Sequence, residues 1–152
     1  MASILDSSVR SFPAASYTST LPATMSLSAA ATLTAVDNGK VIQLSDGGAA
    51  YTVTLPNPED VVGMSIVVAA AEAITNTITL STGSNDDFHV NWVTLTDGTP
   101  NEILTMTAQH NTVQFVANNA AAGDQVELVS NGVKWCATMR AVLITAVIGD
   151  SS

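Results

Sequence analysis

The chain has 152 residues, a net charge of −9 and only 11% charged residues. That is the size of one domain rather than two, and the acidic balance disfavours nucleic acid and anionic membrane as partners. A single cysteine, Cys136, excludes an intrachain disulfide and fits a reducing compartment. No apolar run reaches membrane-spanning length. Asp6 and several serines stand where a Sec-type leader needs an apolar stretch, so that route of export is not expected.

Residues 1–31 are rich in Ser and Ala, include Pro13 and Pro22, and keep no period of 2 or 3.6. Ile4, Leu5, Val9, Phe12, Tyr17, Leu21, Met25 and Leu27 are scattered along them, and only Asp6 and Arg10 are charged. A disordered tail usually carries more charge. Isolated apolar side chains on an extended backbone suit grooves on a partner. The expectation is an extended N-terminal arm over 1–31 and a β-rich body over 32–152. Ile4, Leu5, Val9, Phe12, Tyr17 and Leu21 are the arm's candidate contacts.

From residue 32 the chain reads as strands. Val41–Leu44 lies between the turn signals Asn38-Gly39 and Asp46-Gly47-Gly48. Tyr51, Val53 and Leu55 alternate with Thr52 and Thr54, and Pro56 and Pro58 end that run. In 61–73 an Ala run permits one short helix, but Gly63 with Val and Ile favours a strand ending in a loop. Ile74 to Leu80 alternates with Thr75, Thr77 and Thr79. Trp92 to Thr96 precedes Asp97-Gly98, and Leu104 and Met106 alternate with Thr105 and Thr107. Val113 and Phe115 flank Gln114, and Val126 and Leu128 flank Glu127. Asn131-Gly132 then predicts a hairpin into Val133, Trp135, Ala137 and Met139, which alternate with polar residues. Residues 141–148 form an apolar run of strand length. Period 2 marks sheets with one face buried. The fold predicted is all-β, an antiparallel β-sandwich or barrel with under about 15% helix. Its core is expected to include Val53, Leu55, Ile78, Leu80, Phe115, Leu128 and Trp135.

Motifs for chemistry are missing. The sequence has no Gly-rich phosphate loop, paired-His zinc motif or cysteine cluster. Asp86-Asp87-Phe88-His89 offers oxygens to a cation, but four residues in a loop read more simply as a solvated turn. Glu59-Asp60 and Asp86-Asp87 are adjacent pairs, whereas carboxylates that cleave a glycosidic bond must flank it. His89 and His110 stand apart in sequence. Cys136 shows no neighbouring base or helix N-terminus. Trp92, Trp135 and Tyr51 could in principle stack on a sugar, but the alternation places Trp135 in a core. Neither catalysis nor a metal or other cofactor is expected.

One ordered set of segments resembles a known group. It comprises Asp37-Asn38-Gly39-Lys40-Val41-Ile42-Gln43-Leu44, then Tyr51-Thr52-Val53-Thr54-Leu55-Pro56, then Gly63 and Ile66. Gly123-Asp124, Glu127-Leu128-Val129 and Ser130-Asn131-Gly132-Val133-Lys134-Trp135 follow. Over about residues 32–139 this looks like the small β-rich structural proteins of tailed bacteriophages, especially capsid decoration (cement) proteins, and some head- or tail-fibre modules. The resemblance implies a homotrimer on the outside of an icosahedral head, made in the host cytoplasm. Its partners would be the major capsid protein and copies of itself. The arm and the final strand fall outside the match; on length alone, an extended arm at about 3.3 Å per residue reaches across a subunit boundary. The alternatives are a tail-fibre or spike module, or a carbohydrate-binding or adhesion domain.

Overall fold

Most of the alternating sequence becomes strand in the computed structural model, which describes residues 22–84, 88–95, 103–104, 109–142 and 147–150; of the alternating run Ile74 to Leu80, residues 74–77 are loop and the strand begins at Ile78. The strands are β1 (Thr24–Leu27), β2 (Ala31–Thr32), β3 (Val41–Leu44), β4 (Tyr51–Thr54), β5 (Ser65–Ala70), β6 (Ile78–Ser81) and β7 (Phe88–Leu95). They continue as β8 (Ile103–Leu104), β9 (Gln109–His110), β10 (Thr112–Phe115), β11 (Gln125–Ser130), β12 (Trp135–Ala141) and β13 (Val147–Asp150). Among the described residues the only helical segments are two single 3-10 turns, Ala35–Asp37 and Pro58–Val61. The protein is all-β, in two sheets.

The larger sheet runs β1-β3-β5-β11-β12-β7-β8, with β9 also on β7; the smaller runs β13-β10-β6-β4-β2. From β1 to β6 the chain changes sheet at every step. β1, β3 and β5 are parallel neighbours in one sheet, and β2, β4 and β6 are parallel neighbours in the other. The antiparallel arrangement expected from the alternation is therefore corrected, because both sheets are mixed. Alternation reports that one face is buried, and a parallel strand alternates too when its sheet packs on one side only. Parallel neighbours need a crossover of about a dozen residues or more, and here the intervening strand of the opposite sheet supplies it. Asn38-Gly39 and Asp46-Gly47 accordingly lie on arches between sheets. Antiparallel pairing enters later, where β11 joins β5 and β12, β10 joins β6 and β13, and β7 joins β8 and β9. β7 pairs with β12 in parallel, with a register shift at Ala137/Thr138.

The inward rows of both sheets share one apolar core. Val53, Leu55, Ile78, Leu80, Phe115, Leu128 and Trp135 are all buried in it. Burial of each such side chain contributes about 1.5–3 kcal/mol. Ile42, Leu44, Ile66, Val68 and Phe88, from the larger sheet, are buried in the same core. Residues 24–31, assigned by composition to the arm, hold β1 and the first of the two residues of β2, so the boundary at 31/32 falls inside β2. Met25 and Leu27 pack against the core from β1. The residues expected to be arm contacts, Ile4, Leu5, Val9, Phe12, Tyr17 and Leu21, lie outside the described residues, as do Asp86-Asp87, Asp97-Gly98 and 105–108.

Candidate functional site

The two ends of the winding are built differently. At one end the chain passes from the smaller sheet to the larger through residues 33–40 and 55–64, and the β11–β12 turn lies alongside. Thr34 and Asp37 form a capping box, and the Asp37 carboxylate also takes the Lys40 ammonium at 2.7 Å. Burial pushes the Asp37 pKa up, but the hydrogen bonds from Lys40 and Thr34 outweigh it and hold the group below the usual carboxylate range. The second arch is pinned by Ser130 Oγ, which donates to the Pro58 carbonyl at 2.8 Å, and by Trp135 Nε1, which donates to the Pro56 carbonyl at 3.0 Å. Neighbouring segments are stitched by backbone bonds: Gly39 N to Ser65 O, Gly63 N to Ser130 O, and Ser130 N to Met64 O. In the turn, Asn131 Oδ1 accepts from Val133 N and Lys134 N, and Gly132 takes φ +87°.

These rigid segments hold apolar side chains out to solvent. Val36 is 79% exposed, Val62 70% and Val133 67%, the three most exposed large hydrophobic residues among those described. They lie on one end of the molecule. Val62 shares a depression with Ala35 and Asn38, and Val133 shares one with Asn57, Pro58 and Glu59. Gly132 sits against Val62, so the β11–β12 turn and the second arch touch. Glu59 and Asp60 are exposed beside this patch. The hairpin at Asn131-Gly132 forms, but Val133 belongs to its turn and is exposed rather than sharing the buried face of Trp135.

At the other end, Asp46 organises the arches back to the smaller sheet. Its carboxylate accepts the Thr75 hydroxyl and amide, the Asn76 side-chain amide and the Gly48 amide. The Thr75 hydroxyl and then the Asn76 amide hold its pKa down at about 2. The Tyr51 hydroxyl donates to the Leu27 and Ser45 carbonyls, and burial, with Asp46 and Glu72 nearby, pushes it up to about 12. Asp124 ties a third loop to β12 by accepting from Ala121 N and Val142 N.

Both sheets have outward rows with few charges. Thr32, Thr54, Ser81 and Thr112 stand in register across the smaller sheet, with Thr52, Thr79 and Gln114 in the next row. None of the seven is charged; on β13 the two rows continue to Asp150 and Ile148. The larger sheet brings His89 beside Cys136 as a parallel register partner, and Asn131 Nδ2 donates to the Cys136 sulfur at 3.6 Å. The sequence hides that neighbourhood, because its members lie on separate strands and a turn. The surface there is an open sheet face. Trp135 is fully buried, so it presents no face for a sugar to stack on. Among the described residues no group of three or more His, Cys, Asp or Glu is placed to hold a metal ion, and no helix is long and apolar enough to cross a membrane.

No protein-family model matches this chain, and no curated protein matches it significantly.

Proposed function

We propose that the chain is a non-enzymatic structural protein of a tailed-phage virion, a capsid decoration protein that binds the outside of the head and bridges major capsid subunits. The observation that carries this reading is the apolar end: Val36, Val62 and Val133, held out to solvent on three hydrogen-bonded segments. Exposed apolar residues gathered at one place mark an interaction surface, and fixed segments dock without the entropy loss of ordering a loop. The two sheets form a sandwich, since the core lies between their inward rows. Copies associate as a homotrimer through the charge-poor outer faces, and three linked docking ends add their contacts as avidity. Of the arm contacts expected from the sequence, Ile4, Leu5, Val9 and Phe12 extend the attachment to neighbouring subunits. No cofactor, nucleic acid or membrane has a part in this role.

The test is occupancy on particles. Heads lacking the chain are incubated with wild-type protein and with Val62→Asp, and bound protein is measured by quantitative mass spectrometry. Val62 is exposed, so its substitution leaves the fold in place and removes attachment. Wild-type occupancy by Val62→Asp, or no binding by the wild type, would overturn the reading.

A second reading as a tail-fibre or spike module has its own support. β1 to β6 wind in parallel between two sheets, a pattern in which each turn contacts only its neighbours and arrays can lengthen.

A further inference from the structure

The smaller sheet ends at β2, whose far side pairs with no strand among the described residues. In register, Thr32 lies opposite Thr54, and Leu33 N donates to Thr54 O at 2.8 Å. Backbone groups of successive strand residues point to alternate sides, so Thr32 turns its own N–H and C=O to the open edge. An unpaired edge of this kind is a template for another strand.

The sequence holds a matching segment. Tyr17-Thr18-Ser19-Thr20-Leu21-Pro22 repeats Tyr51-Thr52-Val53-Thr54-Leu55-Pro56 at five of six positions. The later copy is β4, the neighbour of β2 on its paired side. The ladder step also repeats: Leu33 N donates to Thr54 O, and Leu55 N donates to Ser81 O. We propose that the open edge of β2 is a docking site for Tyr17–Leu21 of the same chain, added in parallel as the next strand of the smaller sheet. By the same step, Leu21 N would donate to Thr32 O and Thr32 N to Ser19 O.

Three features favour the chain's own segment over a second copy. Strands alternate between sheets, and β1 is in the larger one, so the segment before it belongs in the smaller. Ser28 to Ala30 suffice to carry the chain from β1 to β2, and Leu21 to Ala23 span the same length between Thr20 and Thr24. Ala23 lies at the β1 edge of the larger sheet, its carbonyl accepting from Val41 N of β3 at 3.1 Å, so the chain before it starts from that edge. Leu21 would extend the row of Leu33 and Leu55, both buried. Ser19, in the place of Val53, suits a terminal turn whose inward face meets water, as capping repeats do. The inference does not depend on the proposed function; it moves Tyr17 and Leu21 from the expected arm contacts into the chain's own sheet and makes the strand the root from which residues 1–16 depart.

Amide hydrogen exchange by NMR on the full chain tests it. The Leu21 and Thr32 amides are expected to exchange at least ~100-fold more slowly than in an unstructured peptide, equally so after tenfold dilution. Leu21→Pro removes the donor and is expected to free the Thr32 amide while Leu55 stays protected. Fast exchange at Leu21 and Thr32 in the wild type would overturn the proposal. So would protection that falls on dilution, which would assign the strand to a second copy. The wild-type measurement decides the matter even if the variant fails to fold.

Discussion

Three residues fix the interior and its two ends, and each predicts a measurable change. Trp135 is fully buried and donates from β12 to the Pro56 carbonyl, so it joins the larger sheet to the chain leaving the smaller one. Trp135→Ala is expected to cost about 3–5 kcal/mol in urea unfolding, as large-to-small core changes do. Trp135→Phe keeps most of the packing but loses the donor, and its expected cost is nearer ~1–2 kcal/mol. Equal costs for the two would show that the hydrogen bond, not the packing, holds this site. Gly47 is needed for a different reason: a Cβ there would overlap the backbone carbonyl oxygen of Ser28. Neither atom belongs to a flexible side chain, so an arch must shift, and Gly47→Ala is expected to lower the melting temperature by the equivalent of about 1–3 kcal/mol. Asp46 gives a pH signature. Its folded pKa of about 2 lies below the ordinary aspartate value of 3.8, so its contribution is present above about pH 4 and is lost as pH falls toward 2. The melting-temperature gap between wild type and Asp46→Asn should be constant near neutrality and narrow across that window. A gap that stayed constant down to pH 2 would mean that the carboxylate's charge does not matter to the fold.

At the scale of elements, the β11–β12 turn shows how a local signal and a tertiary contact act on one residue. Gly132 takes φ +87°, and a Cβ there would press on Val62 of the second arch at 3.0 Å. Gly132→Ala meets both the left-handed backbone penalty of about 1–2 kcal/mol and that contact. Gly132→Ala combined with Val62→Ala should recover part of the loss, and a double-mutant cycle measures how much. Strictly additive costs would show that only the backbone conformation matters. The turn itself was legible in Asn131-Gly132, and so were the strands and their buried rows, because alternation and glycine act over a few residues. Strand direction was not legible. Nothing within Val41–Leu44 says that its neighbours are β1 and β5, both parallel to it; that depends on arches crossing between sheets. The apolar end was hidden for the same reason, since Val36, Val62 and Val133 lie far apart in sequence and alternation counted Val133 as inward.

For the whole molecule, charge and exposed apolar surface make opposite demands on self-association. The chain carries −9, so copies brought together repel one another, and the repulsion weakens as salt shortens the Debye length from about 10 Å at 0.1 M to about 3 Å at 1 M. On β2, β4, β6 and β10 the outer rows of the smaller sheet, Thr32 to Thr112 and Thr52 to Gln114, carry no charge, and Asp150 enters only at the β13 end of the first row; the valines of the apolar end carry none either. Contacts through such surfaces gain from water release and lose nothing when ions screen them. Among the described residues the ion pair found, Lys40 with Asp37, is internal to one arch. If copies associate through the charge-poor faces, sedimentation velocity should show the trimer fraction rising as sodium chloride goes from low to high concentration. Thr54→Lys together with Thr79→Lys sharpens the test. It places like charges on the outer face of the smaller sheet in every copy while leaving the buried rows untouched. The variant should stay monomeric at low salt with an unchanged melting temperature, and salt should restore association only in part. Association that weakened with salt in the wild type would assign the contact to charge pairs instead, and association unaffected by the lysines would move it off this face.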